Sequence, residues 1–357
     1  MTRQVLVINP GSTSTKVALY TNFQREFDFS LTHSGTDLAK FDKILDQLTY
    51  RLKLVEEELV KRQVDLTKLS AVVARGGLFN PLESGTYRVN QLMKDHLTQR
   101  INGEHASNLG IFMAEYFGNL YQIPAFSVDP VVIDEFAPVA RFSGNRHIQR
   151  VSLFHALNQK AVAREVASDL NGKYADFNFI VAHIGGGISV GAHQRGKVID
   201  VSDGLNGDGP LTPERSGAMP LVSFMRFTEK NKDNPKINLY REVVGEGGLV
   251  SYLGTSDVPV VEQMIAAGNQ DAKAAYEAMV YQVAKTIGEY AVVLKGKIDG
   301  IIVTGGVTHS EMFTSQLKKY IDWLGPVYLK PGENELAALN AGAQRVLNGE
   351  PAKEYLG

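Results

Sequence analysis

The chain has 357 residues, more than one hydrophobic core usually organises, and 44% of them are hydrophobic, the ordinary share for globular domains, so two domains are expected. Its 37 basic and 39 acidic residues leave a formal charge of −2, which excludes a large single-sign surface for nucleic acid or anionic lipid and favours a small-molecule partner. The absence of cysteine excludes a disulfide framework and any thiolate metal site, in keeping with a reducing interior.

The N-terminus passes through Thr2, Arg3 and Gln4 into an apolar run over 5–8, too short for a signal sequence or a membrane span, so a soluble cytoplasmic protein is expected. That run reads as a strand ended by Asn9-Pro10-Gly11, and 16–20 reads as a second strand. Leu38, Phe41, Leu45, Leu48, Leu52, Val55 and Leu59 recur at spacings of three and four with charges between them, which predicts one long amphipathic helix from Asp37. A strand over 70–74 runs into Arg75-Gly76-Gly77, a helix is expected near 104–120, and a strand over 125–128 closes on Asp129-Pro130. Arg75 and Asp129 thus fall just past strand ends, where α/β sheets bind ligands. The second half opens with a helix near 152–168, followed by strands at 177–182, 188–193 and 197–201. A further strand over 300–303 ends in Thr304-Gly305-Gly306, and 335–347 reads as an alanine-rich helix.

The strings VLVINPGSTSTKVALY and FIVAHIGGGISVGAH share one plan, an apolar strand, a polar residue, a glycine-rich turn and a returning strand, which predicts an internal duplication. The expected domains are 1–148, completed by 335–357, on the substrate and phosphate side, and 149–334 on the nucleotide side, with a hinge near 141–150. The two loops, 9–16 and 183–189, would then flank a nucleotide cleft. Gly11-Ser12-Thr13-Ser14-Thr15-Lys16 lacks the second glycine and the final hydroxyl of a Walker A loop, and a strand follows it. Glycine, hydroxyls and a lysine still suit an anion, because Gly11 lets backbone N–H groups approach, Ser12 and Ser14 add donors, and Lys16 adds charge. Three consecutive glycines, Gly185, Gly186 and Gly187, carry an entropic cost that an ordinary turn does not require. Gly187-Ile188-Ser189-Val190-Gly191 also fits a hydrolase nucleophile elbow, but that elbow needs a helix after the serine and strands are expected here. Taken singly, Arg215, His105, His155 and His183 are each compatible with a structural role.

The duplicated plan resembles the superfamily of acetate kinases, sugar kinases and actin. INPGSTSTK, ARGGLFNPLESGTYRVN, FSVDPVVIDEF, FHALNQKAVARE, VAHIGGGISVGAHQRGKVIDV and LTPERSG resemble the butyrate kinases of the acetokinase family, over nearly the whole chain. The resemblance implies an α/β, duplicated actin-like (ribonuclease H-like) ATPase fold, and transfer of the ATP γ-phosphoryl group to a short-chain fatty acid with Mg2+. It implies a first phosphate loop of Asn9, Gly11, Ser12, Ser14 and Lys16, and a second running from His183 through Gly185, Gly186 and Gly187 to Ser189. Gly305 and Gly306 would seat the adenosine, and His105, His155, His183 and Arg215 would attend the transferring phosphoryl group. Asp129 and either Glu333 or Glu335 would hold the metal; proximity assigns Arg75 to the substrate carboxylate, and Ala74 and Phe154, adjacent to Arg75 and His155, are expected to line the acyl pocket. A homodimer or higher homo-oligomer is implied as well. Acetate kinases have His-Gly-Thr-Ser-His where this chain has His155-Ala156-Leu157-Asn158-Gln159, and place an arginine three residues before a His-Gly-Gly, where this chain has Val72 and carries Arg75 directly before Gly76-Gly77 instead, so the butyrate branch is favoured. Branched-chain and propionate kinases are the near alternatives, and an actin-like ATPase that forms no acyl phosphate is the distant one.

Overall fold

The computed structural model describes residues 2–357 and divides into two compact units. The chain up to Asp134 together with Asn334–Gly357 forms the first, and Glu135–Glu333 the second.

The first unit holds β1 (Gln4–Pro10), β2 (Ser14–Thr21), β3 (Gln24–Thr32), β4 (Leu69–Ala74), β5 (Thr86–Arg88) and β6 (Ala125–Val128) in one sheet of order β3-β2-β1-β4-β6-β5. β1 is antiparallel to β2 and parallel to β4, which is parallel to β6. The central strands are apolar throughout because both faces are covered: Val5, Leu6, Val7 and Ile8 are all fully buried. Leu6, Ile8, Val72 and Ala74 share a core with Val55 of the helix Leu48–Lys61 and Phe117 of the helix Leu109–Tyr121. The C-terminal helix Glu335–Leu347 packs along β1, β4 and β6, with Gly342 tight against Val128.

The second unit opens with the two-stranded hairpin β7 (Phe142–Asn145) and β8 (Ile148–Gln149). Its main sheet, β9 (Asn178–Ile184), β10 (Ile188–Gln194), β11 (Lys197–Val201), β12 (Gly300–Gly305) and β13 (Val327–Pro331), runs in the order β11-β10-β9-β12-β13. The two-residue period of β9 splits its side chains. Ile180, Ala182 and Ile184 face the long helix Gln270–Val293, whereas Phe179 and Val181 pack with Val162 and Val166 of the helix Ala156–Asp169. With β9, β10, β11, β12 and β13 standing where β1, β2, β3, β4 and β6 stand in the first sheet, the duplication read from two glycine-rich strings is a duplication of topology.

Three local expectations are corrected. The single long helix from Asp37 is broken into Gly35–Leu38, a 3-10 turn Ile44–Gln47 and Leu48–Lys61. Lys43 is extended there, and Asp46 Oδ2 accepts from its N–H, which starts a new helical segment. The helix expected from 152 begins at Ala156, because the Leu153 carbonyl is taken by Gly204 N–H at 2.9 Å. The passage between units falls between Asp134 and Glu135, ahead of the boundary read at 148, and the segment expected as a hinge is the β7-β8 hairpin inside the second unit. Arg150 anchors that hairpin to Asp200 at 2.8 Å and Asp208 at 3.1 Å. Among the described residues no helix is long and apolar enough to cross a membrane.

Candidate active site

In the first unit the parallel register, Ile8 beside Ala74 and Ala74 beside Ser127, sets Asn9, Arg75 and Asp129 at the carboxyl edge of the sheet. Asn9 Nδ2 donates to Glu335 Oε2 at 2.6 Å, and Arg75 pairs with Glu335 Oε1 at 2.9 Å, so one carboxylate at the start of the C-terminal helix ties two strand ends together. Lys16 lies opposite Asn9 across β1 and β2 and is exposed. Gly11, Ser12 and Ser14 form the tight turn between those strands, with Gly11 N–H donating to Ser14 O at 2.7 Å. Asp129 is buried, and its carboxylate accepts from Ser84 Oγ at 2.6 Å and Gly85 N–H at 2.8 Å. Its φ of 37° lies in the left-handed region, a strained setting of the kind found at functional sites. His105 Nδ1 accepts from Ser107 N–H at 3.2 Å, which leaves the proton of the neutral ring on Nε2. Burial, and then the Arg75 charge, push its pKa below the ordinary histidine value, so that donor is uncharged at neutral pH.

The second unit gathers His155, His183, the three glycines, Ser189 and Arg215. His183 is buried and donates from Nδ1 to Asn158 Oδ1 at 2.9 Å, and its ring stacks on His155 with centroids 3.7 Å apart. Its Nε2 makes no hydrogen bond, because Glu333 Oε1 stands 3.0 Å away in an unsuitable direction. None of Gly185, Gly186 and Gly187 has positive φ, so close approach explains them better than backbone freedom. A Cβ on Gly187 would lie 1.6 Å from an Arg215 guanidinium nitrogen, and one on Gly186 would lie 2.9 Å from Glu214. Thr212 Oγ1 donates to Gly186 O at 2.6 Å and accepts from Arg215 N–H at 2.9 Å, which fastens the arginine loop to the glycine loop. Arg215 donates to Gly204 O from one guanidinium nitrogen, while its buried Nε has no partner. Burial lowers the Arg215 pKa from its usual value, yet guanidinium remains a cation in proteins. Gly305 does need to be glycine: its φ is 93°, and a Cβ there would lie 2.3 Å from Ile184 O. Gly306 follows with open space at its Cβ position.

Ser189 stands within β10, followed by strand rather than helix, so no nucleophile elbow is present. Its hydroxyl belongs to a chain of hydrogen bonds that the sequence did not reveal. Tyr174 OH donates to His193 Nδ1 at 2.6 Å, and His193 Nε2 donates to Gln159 Oε1 at 2.9 Å. Gln159 Nε2 donates to Ser189 O at 3.0 Å and Ser189 Oγ at 2.9 Å, and Ser189 OH donates to His155 Nδ1 at 2.8 Å. Burial, reinforced by Lys160 and Arg164, holds the His193 pKa well below the ordinary value, so the neutral ring can accept at one nitrogen and donate at the other. The directionality leaves the His155 ring proton on Nε2. Gly191, between Ser189 and His193 on the same strand face, makes room for Gln159: a Cβ there would lie 3.0 Å from Gln159 Oε1. The available signal was the alternation Ser189, Gly191, His193 on one strand, read against Gln159 one helical turn after His155.

The pocket residues fare differently. Ala74 is fully buried in the first unit's core, and a Cβ on Gly110 would lie 3.2 Å from its own, so it is a packing residue rather than a pocket wall. Phe154 is 3% exposed in the second unit and directly precedes His155. Glu335 joins the Asn9 and Arg75 edge, whereas Glu333 lies beside His183. Among the described residues no three His, Asp or Glu side chains cluster as a ready-made metal cage.

The Acetokinase family model matches residues 138–353. A protein of Listeria innocua described as a probable butyrate kinase is 48% identical over 99% of this chain and 100% of its own length. Among solved structures, the acetate kinase of Porphyromonas gingivalis superposes with a TM-score of 0.79 at 18% identity, covering 97% of this chain and 100% of that one. A propionate kinase from Francisella tularensis gives 0.72 at 20% identity, covering 95% and 98%. The fold is therefore the duplicated α/β, actin-like arrangement of the acetate kinase structures. With the family model covering more than half of the chain and a full-length relative at 48% identity, this chain belongs to the acetokinase family of carboxylate kinases.

Proposed function

We propose that the chain transfers the γ-phosphoryl group of ATP directly to the carboxylate of a short-chain fatty acid, butyrate first, giving butyryl phosphate and ADP. The observation that carries this reading is Arg215, a half-buried cation laid over Gly187 and 3.7 Å from Glu214, with a buried Nε donor that has no partner, suited to the charge of a transferring phosphoryl group. A carboxylate with an ordinary pKa of about 4.3 is already ionised at neutral pH, so the acceptor needs no general base. The work left to the protein is orientation and charge neutralisation. Arg75 offers the substrate carboxylate the guanidinium donors that Glu335 does not occupy. His105 and His155 present Nε2–H donors, and His183 stacks against His155 to hold its ring plane. Asn9, Gly11, Ser12, Ser14 and Lys16 receive one part of the phosphate chain and Gly185, Gly186 and Gly187 another, with the adenosine on the Gly305-Gly306 turn.

Asp129 and Glu335 suit magnesium, because both are hard oxygen donors at one sheet edge and this ion takes one or two carboxylates with phosphate oxygens and water. Bound there, it would offset charge on the phosphate oxygens. Glu335 is preferred to Glu333 because Asn9 and Arg75 already orient it. The reading places the enzyme in the cytoplasm with ATP, as a homo-oligomer. The helix Leu221–Asn231 buries none of its residues and exposes Leu221, Val222 and Met225, an apolar face for a second copy.

Hydroxylamine trapping with ATP, magnesium and a panel of acids tests the function: butyryl hydroxamate should form with the highest kcat/KM. ATP hydrolysis without hydroxamate would sink the reading, and a higher value with propionate, isobutyrate or isovalerate would replace butyrate. Phe154→Ala should favour longer acids, raising the valerate-to-acetate ratio of kcat/KM by about tenfold, since each methylene is worth roughly 1 to 3 kcal/mol of discrimination. An unchanged ratio across the same panel would remove Phe154 from the acyl pocket.

A further inference from the structure

Arg51 interrupts the apolar stripe of the helix Leu48–Lys61 and is fully buried. One guanidinium nitrogen donates to Gly11 O at 2.8 Å, Ser14 O at 3.2 Å and Thr15 Oγ1 at 3.1 Å, and the other to Ser12 O at 3.1 Å. Gln47 Oε1 accepts from its Nε at 3.1 Å and from a terminal nitrogen at 2.8 Å. The remaining carbonyl of the turn, Thr13 O, accepts from His33 N–H at 2.8 Å, and Ser14 O also accepts from Gly11 N–H.

Every carbonyl from Gly11 to Ser14 is therefore turned into the protein. The amides of Ser12 and Thr13, both exposed residues, have no acceptor among the described residues. The loop is polarised, with three of its four carbonyls on a buried cation and the Ser12 and Thr13 N–H groups left for a ligand, the arrangement of a backbone anion nest. Arg51 also has no carboxylate partner among the described residues. A buried charge without a counter-ion is costly, and Gln47, the one side chain that holds it from behind, is a neutral amide where a glutamate would fit.

We propose that Arg51 is the positioning residue of the first phosphate loop, holding three of its four carbonyls inward so that the amides of Ser12 and Thr13 bind a phosphate chain, and that its uncompensated charge strengthens that binding. Only the identity of the anion, the phosphates of ATP, rests on the kinase reading. The missing counter-ion is then part of the design, since the nearest anion the cation can feel is the ligand on the other side of the loop.

Gln47→Glu and Arg51→Lys separate this from plain scaffolding. Gln47→Glu supplies the missing counter-ion, so the ligand-free protein should melt at a higher temperature. Its KM for ATP should nevertheless rise about tenfold, the size of one charge-assisted contact, with the KM for the carboxylate unchanged. Arg51→Lys cannot span four acceptors with one ammonium, so both its melting temperature and its ATP affinity should fall. Inorganic tripolyphosphate serves as a second probe, and the melting-temperature rise it gives the wild-type protein should shrink in both variants. Either variant, folded by circular dichroism, with a KM for ATP and a tripolyphosphate response within twofold of wild type overturns the proposal. Should neither variant fold, its claim that the loop tolerates altered charge at the cost of affinity alone fails as well. The tripolyphosphate measurement does not depend on phosphoryl transfer. A wild-type protein that makes no acyl phosphate, but whose tripolyphosphate response is lost in Gln47→Glu, would refute the carboxylate kinase and leave Arg51 in its role.

Discussion

Arg215→Ala should lower kcat by about 100- to 1000-fold, the usual loss when one donor aimed at transition-state charge is removed, with KM for ATP and for the carboxylate altered by no more than a few-fold. The side chain is placed for that split. Its backbone is fixed independently, by the Arg215 N–H donating to Thr212 Oγ1 at 2.9 Å and by Thr212 fastening the loop to Gly186 O at 2.6 Å. The alanine variant therefore keeps the loop and loses the charge. What disappears is one hydrogen bond to Gly204 O, a half-exposed ion pair with Glu214 at 3.7 Å and a buried Nε that has no partner within the chain. A donor left unsatisfied in the ligand-free protein has its interaction still to make, and an interaction made only as charge redistributes appears in kcat rather than in KM. Arg215→Lys should recover little, because one ammonium cannot both hold Gly204 O and present a second donor over Gly187. Steady-state kinetics on a variant with wild-type circular dichroism checks the expectation. Turnover within tenfold of wild type would remove Arg215 from the reaction.

The strands that carry the site were legible because they are buried on both faces. Such strands read as unbroken apolar runs, so β1, β4, β9 and β12 stood out together with the glycine-rich turns that follow them. β3 did not, for a physical reason: it lies at the edge of its sheet, its residues alternate between half-buried and exposed, and its sequence carries charges rather than a run. The helix from Asp37 was misjudged because periodicity registers one apolar face across a break, and the break depends on a single carboxylate, Asp46, accepting the Lys43 N–H.

The site shows the same limit in a sharper form. Glycine and hydroxyl residues in duplicated positions marked both loops as candidates for phosphate, since those residue types serve close approach to anions. The groups that shape the loops were invisible. Arg51 lies among Leu48, Leu52 and Val55, where a charge ordinarily marks the solvated side of a helix, yet it is fully buried. Three of its five partners are backbone carbonyls, which leave no trace in sequence. Ala74 erred in the opposite direction. Adjacency to Arg75 suggested a pocket wall, but successive residues of a strand point to opposite faces, and the face of Ala74 is the core.

Ser189→Ala should lower kcat by about 10- to 100-fold, comparable to the loss of one catalytic proton donor, while KM for ATP stays near that of wild type. Read as part of a phosphate loop, Ser189 would act through ATP affinity. Its hydroxyl instead accepts from Gln159 and donates to His155 Nδ1 at 2.8 Å, so what it holds is the tautomer of His155 with the proton on Nε2. Without that donor Nδ1 loses the Ser189 proton that it accepts, the other tautomer becomes accessible, and the ring loses part of its orientation. The loss must be smaller than that of Arg215→Ala, because His155 itself survives and its backbone remains the N-cap of the helix Ala156–Asp169. Ser189→Thr should restore most of the activity, since it returns a hydroxyl at the same atom. Gln159→Leu should resemble Ser189→Ala, because it unlocks the same hydrogen bond from behind and strands His193 Nε2. A structural defect would instead lower the melting temperature without separating kcat from KM. The discriminating measurement is the pair of kinetic constants for Ser189→Ala: an unchanged kcat with a raised KM for ATP returns the serine to the phosphate loop, and a lowered kcat with KM intact places it behind His155.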